Sequence, residues 1–282
     1  MSDNLPDDWS PADNPYAIAV SEANWLRATV ALAVQRMHGD DSQVGWFSSR
    51  QIDARTLVVA LRQLLAAVKL EQIALADLSM DPAVGEALAQ AQQRFEAALP
   101  DIKHVRDGLT HFEDWARGEG KFGPQAAARK AGNAPRDVAR DFWSFGYDPA
   151  ADTVTMGPFT IPVSAALPAA SELCAAIYSA ARAVDQRSTA EIRSWTVQAL
   201  TSAAIPCDPP QGPVLVSPGN DTRIWVSFNL STVPESGRTE LAAKVAAAVA
   251  GAGLRLTSQS FPEAEDMAER LVVGEALRVE RI

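Results

Sequence analysis

The chain has 282 residues, enough for one large or two medium domains with real cores, and its 47% hydrophobic and 21% charged residues are ordinary for a globular protein. A formal net charge of −10 argues against a general nucleic-acid coat or a binder of anionic membranes, since both draw on positive charge, but leaves room for a local basic patch. The two cysteines make no disulfide framework: Cys174 suits the apolar face of a helix and Cys207 a proline-rich connector, as expected in a reduced cytoplasm.

In chain order, residues 1–14 are acidic and contain proline, unlike a secretory signal, and are expected to form a flexible tail with Trp9 as its one apolar anchor. Asn14-Pro15 is a cap and first-turn pair, and Leu26, Val30, Ala33 and Met37 mark a first helix ending near Gly39, where His38 neutralises the helix C-terminus. A loop with an apolar island at Val44, Trp46 and Phe47 precedes a long second helix with Leu57, Leu61, Leu64, Val68 and Leu75 on one side. Asp81-Pro82 opens a third helix that Pro100 ends. Asp101 caps a fourth, predicted to run unbroken to the glycines at 118 and 120. Four amphipathic helices with short connections predict a bundle.

Phe142–Tyr147 and Thr153–Val163, rich in aromatic and β-branched residues and separated by Pro149-Ala-Ala-Asp152, predict an inserted β-hairpin near 142–163 with an edge strand carrying Pro158 and Pro162. Ser164 caps a helix with Leu167, Ala170, Cys174, Ile177, Ala181 and Val184 on its inner face, and Ser188-Thr-Ala-Glu191 is a capping box predicting a further helix. The four prolines of 206–213 predict a boundary between a helical domain, 15–205, and a small α+β domain, 213–282. In that second domain the pattern reads strand, turn at Pro218-Gly-Asn-Asp, strand, helix from Thr239, strand from Leu254, short helix from Glu263 and a last strand near 276–282. No chemistry is visible there, and docking or dimerisation is its expected role. The fold class is therefore mainly α, a bundle with an inserted hairpin followed by α+β. The most apolar run, Val245–Leu254, is too short to span a bilayer, so no membrane partner is expected.

The chemistry concentrates in the fourth helix. Ile102, Val105, Leu109, Phe112 and Ala116 form its apolar stripe, bordered by His104, Asp107, His111 and Trp115, so two of the three histidines share one surface. Between 117 and 140, Arg117, Lys121, Arg129, Lys130, Arg136 and Arg140 face only Glu119 and Asp137, which marks a patch able to hold phosphates, or else a solvated loop. A metal reading of His104, Asp107 and His111 requires ligands about 10 Å apart along the axis to close on one ion, which a straight helix does not allow. No metal or other cofactor is expected.

The pattern Arg106-Asp107-x-x-x-His111 resembles the Arg-x4-6-His signature of the HEPN superfamily, with Asp107 where asparagine is common. The resemblance implies a helical bundle acting as a homodimer and a metal-independent endoribonuclease that leaves a 2′,3′-cyclic phosphate. Arg106, His111 and Asp107 would be the catalytic residues, and Arg117, Lys121, Arg129 and Lys130 would hold the RNA. It equally admits a non-catalytic dimerisation or binding module in a bacterial regulatory or defence complex, such as a toxin–antitoxin pair, with a regulatory protein partner. Arg106 and His111 are five residues apart, so on a regular helix they diverge by about 140°. Either Gly108 distorts the helix or two motif helices face each other in a dimer.

Overall fold

The computed structural model describes residues 10–121, 123–207, 212–219, 223–258, 260 and 266–282. Pro15–His38 (α1) and Ser49–Asp77 (α2) are long helices packed along each other, joined by a small exposed hairpin of Gln43–Val44 (β1) and Phe47–Ser48 (β2) that holds the apolar island. Trp46 at its tip is 96% exposed. Asn14 sits at the cap of α1 without a side-chain capping bond, its Nδ2 donating instead to Ser10 O at 3.1 Å. Pro82–Ala98 (α3) is capped by Asp81, which accepts from the Ala83 amide at 2.9 Å. Leu57, Leu61, Leu64 and Val68 of α2 are fully buried, each contributing roughly 2 kcal/mol of apolar burial. His38 reaches beyond its own helix end: its Nε2 lies 2.8 Å from Asp152 Oδ1.

The motif stretch is two helices, Ile102–Thr110 (α4) and Phe112–Trp115 (α5), broken at His111, which has φ −110° and ψ 43°. The break redistributes the expected stripe. Ile102, Val105, Gly108 and Trp115 are buried, whereas Phe112 is 59% exposed. Past the break the chain continues through Gly123–Lys130 (α6) and Pro135–Phe142 (α7).

In place of a two-stranded hairpin, Phe145–Asp148 (β3), Thr153–Met156 (β4) and Phe159–Pro162 (β5) form an antiparallel meander in the order β3-β4-β5. The turn at 149–152 is where the sequence placed it. The predicted second strand folds back on itself at Gly157, whose φ of +55° and whose contact with the Phe142 backbone leave no room for a side chain. The Tyr147 hydroxyl donates to Asp152 at 3.1 Å, and burial, followed by that carboxylate, raises its pKa.

Val163–Ser202 (α8) is one helix of 40 residues. Ser188-Thr-Ala-Glu191 does not open a new helix there. Thr189 Oγ1 donates back to Asp185 O at 2.8 Å and Arg187 pairs with Glu191 at i,i+4, so these side chains support the helix they sit in. The Cys174 thiol donates to Ala23 O on α1, and burial pushes its pKa to about 11. By length and composition α1 and α8 are both long and apolar enough to cross a bilayer, a test that core helices also pass. The expectation from Val245–Leu254 counted only uninterrupted apolar residues.

The chain divides into two units, 1–182 and 183–282, so the division falls within α8 and not at the proline-rich 206–213. In the second unit, Val214–Pro218 (β6), Ile224–Phe228 (β7), Leu254–Thr257 (β8) and Leu277–Arg281 (β9) form an antiparallel sheet ordered β6-β7-β9-β8. Glu235–Gly251 (α9) and Met267–Val272 (α10) pack with it through Val245, Val249 and Leu271. The end of α8 joins this core: Leu200 is buried in it, and Ile192 and Trp195 pack against it. Hydrophobic burial thus assigns residues 183–202 to the second core before the prolines are reached. The fold is mainly α with a C-terminal α+β region. Trp9, the centre of the proline-rich segment at 208–211, Asn220 and Asp221 of the predicted turn, and Glu263 lie outside the described residues.

Candidate functional site

Gly108 shapes the site. A Cβ there would stand 2.5 Å from Met156 Cε and 2.9 Å from Trp115 Cε3. The glycine therefore lets β4 and the indole of Trp115 close directly on α4, and α4 itself stays regular through it. The chain must turn at His111 for Trp115 to fold back into this space. Trp115 then packs edge-on against Phe142 and Phe159, and the His104 ring lies 4.6 Å from Phe159. Phe159 is the wall against which His104 is oriented. It lies 55 positions downstream of that histidine, and no local pattern announces the contact.

The result is a cleft of about 350 Å³ lined by His104, Asp107 and His111 from the α4 stretch, by Glu113 and Asp114 after the break, and by Lys103 and Lys121. Gln125, fully buried on α6, ties two lining residues together by accepting from the Gly120 amide at 2.9 Å and donating to Trp115 O at 3.1 Å. Two histidines can supply a proton acceptor and a proton donor in one cleft at neutral pH.

The other expected site residues are placed differently. Arg106 does not line the cleft; its Nη1 donates to Asp107 Oδ1 at 2.8 Å. Asp107 is thereby paired with its neighbour, and no hydrogen bond joins its carboxylate to His111 among the described residues. Arg117 pairs with Asp114 and Glu119, both at 3.0 Å. Lys121 Nζ lies 4.0 Å from Asp114 and is otherwise open to the cleft. Arg129 donates to the carbonyls of Gly118 and Gly120, so its guanidinium holds the turn that forms the cleft rim. Lys130 is exposed and lines neither this cleft nor the neighbouring cavity. Among the described residues, no three His, Cys, Asp or Glu side chains converge on a point where a metal ion could sit.

Sequence reasoning did not find Phe159, Gln125, Glu113 or Asp114 as parts of the site. Glu113 and Asp114 carried a usable signal, as carboxylates beside the motif. Gln125 and Phe159 carried none.

No protein-family model matches this chain, and no curated protein or solved structure matches it either.

Proposed function

We propose that the cleft is the active site of a HEPN-like, metal-independent endoribonuclease that works in the cytoplasm as a homodimer. The observation that carries this reading is that His104, His111 and Lys121 line one cleft. One imidazole takes the proton from a ribose 2′-hydroxyl, and the 2′-oxygen attacks the adjacent phosphorus. The bond from phosphorus to the 5′-oxygen breaks, the second imidazole protonates that oxygen, and a 2′,3′-cyclic phosphate and a 5′-hydroxyl result. Lys121, 76% exposed at its side chain, is available to the phosphate.

Arg106 is engaged with Asp107 and does not line the cleft of its own chain. Within this reading the guanidinium that stabilises the phosphorane comes from a second copy, through a C2 interface that brings two α4 helices together. The wild-type protein is expected to cut single-stranded RNA in EDTA, and His111→Ala to reduce cutting by at least a thousandfold with the fold retained. Mixing Arg106→Ala and His111→Ala chains is expected to restore a fraction of the activity. Cutting that requires divalent metal, or that survives His111→Ala, rules the mechanism out.

One observation favours a second reading, a non-catalytic HEPN-like dimerisation module with a regulatory protein partner. The motif arginine is ion-paired with Asp107 and does not line the cleft that His104 and His111 share. In that case wild type, Arg106→Ala and His111→Ala are all silent in the cleavage assay while the dimer persists.

A further inference from the structure

A second cavity, of about 510 Å³, opens between α2, α3 and the first turn of α4. It shares Lys103 and His104 with the cleft but none of the other cleft residues. Three cations line it: Arg62 and Lys69 from one face of α2, and Lys103 from α4. None of the three is ion-paired with a described residue. Arg62 Nε is shielded from solvent and donates to no acceptor. The one carboxylate in the lining, Glu96, is held along α3 by Gln92, whose Nε2 donates to it at 2.8 Å, while Gln72 Nε2 donates to Gln92 at 3.3 Å. Three positive charges against one negative leave a local excess of two in a chain whose net charge is −10.

The start of α4 adds donors to the same place. Asp101, at its cap position, makes no capping bond and instead accepts from the Thr160 amide at 2.9 Å. The Lys103 and His104 amides therefore keep the unsatisfied character of a helix first turn. Leu65, Leu99, Pro100 and Ile102 give the cavity an apolar wall, and its volume lies in the range that encloses small organic ligands, well above what a bare phosphate fills.

We propose that this cavity binds a small phosphomonoester of about mononucleotide size. The phosphate, a dianion at neutral pH because its second pKa is about 6, matches the excess of two charges that Arg62, Lys69 and Lys103 leave over Glu96. The organic part lies on the apolar wall beside the Gln72 and Gln92 amides. The site adjoins the proposed ribonuclease cleft through Lys103 and His104, and its anion binding does not depend on the ribonuclease reading.

The test is calorimetric titration of the full chain with the four 5′-mononucleotides, ribose 5-phosphate and inorganic phosphate, each organic ligand alongside its unphosphorylated counterpart. At least one phosphomonoester is expected to bind one to one, at least tenfold tighter than its unphosphorylated counterpart and than inorganic phosphate. The Arg62→Gln, Lys69→Gln double variant is expected to weaken it at least tenfold. Lys103→Gln, at an exposed side chain whose loss does not threaten folding, is expected to weaken it about fivefold. His111→Ala, which alters only the other cleft, is expected to leave it unchanged, so a failed ribonuclease reading and a failed anion site give different results. Absence of binding by every phosphomonoester at millimolar concentration overturns the proposal. So does binding of inorganic phosphate as tight as the best ester, or affinity unchanged in Lys103→Gln and the double variant.

Discussion

Two cationic regions of the helical unit behave in opposite ways. The segment from 117 to 140 is dense in arginine and lysine, yet much of that charge is used within the segment or by residues directly beside it. Arg117 is paired with Asp114 and Glu119, Arg129 donates to the carbonyls of Gly118 and Gly120, and Arg140 pairs with Asp137 and Asp141. Around the second cavity the cations are sparse along the chain, separated by up to 41 residues between Arg62 and Lys103, yet they face one space without ion partners. A run of like charges recruits its own counterions and backbone acceptors, because short separations allow cheap local pairing. Charges brought together by helix packing have no local partner and are free for a ligand.

The comparison can be broken hardest at Gly118. Its φ is +68°, and a Cβ there would stand 2.0 Å from Pro135 O and 2.8 Å from the Ala139 amide. Both neighbours are backbone, so neither can rotate away. Gly118→Ala is expected to cost about 3 kcal/mol or more in urea unfolding, from left-handed strain and overpacking together. A loss under about 1 kcal/mol would show that the turn is not held as described.

Arg129→Ala tests whether that arginine is structural. Removing a charged donor from two carbonyls is expected to cost about 2 kcal/mol of stability and to leave phosphomonoester affinity unchanged. A stable variant with weakened anion binding would move Arg129 into the ligand class.

The smallest effect sharpens the contrast from the other side. Arg140→Gln removes two surface ion pairs, with Asp137 at 3.1 Å and Asp141 at 3.2 Å. Such pairs are worth little in water, so stability is expected to change by less than about 0.5 kcal/mol. Anion binding and RNA cutting are expected to be unaffected. A clear loss of cutting would restore the 117–140 segment as a phosphate-holding surface.

The same contrast explains how much of the site could be read from the chain. His104, Asp107 and His111 were legible as one line along a helix, and all three line the cleft. Their relation to Arg106 was not. The spacing of the two residues admitted a distortion at Gly108 or two facing motif helices, whereas α4 runs regularly through Gly108 and the chain breaks at His111, where the backbone leaves the helical region. Gly108 was read as a point of flexibility; it is a point of close packing, with Met156 and Trp115 filling the volume a side chain would take.

Periodicity and capping residues determined the first three helices, the turn at 149–152 and the mainly α class with a C-terminal α+β region, because each depends on residues within a turn or two of one another. The sequence also singled out the histidine-bearing stretch. Tertiary packing alone decided that the capping box at Ser188 would be absorbed into a 40-residue helix, since the burial of Leu200 rewards continuing it. It decided, too, that Arg129 would hold a turn and that Arg62, Lys69 and Lys103 would share a cavity. The physical reason is one of range. The burial of one face of a helix leaves a periodic apolar trace in the chain, whereas side chains distant in sequence meet only where buried surface draws their elements together, and which elements meet leaves no trace at either partner's position.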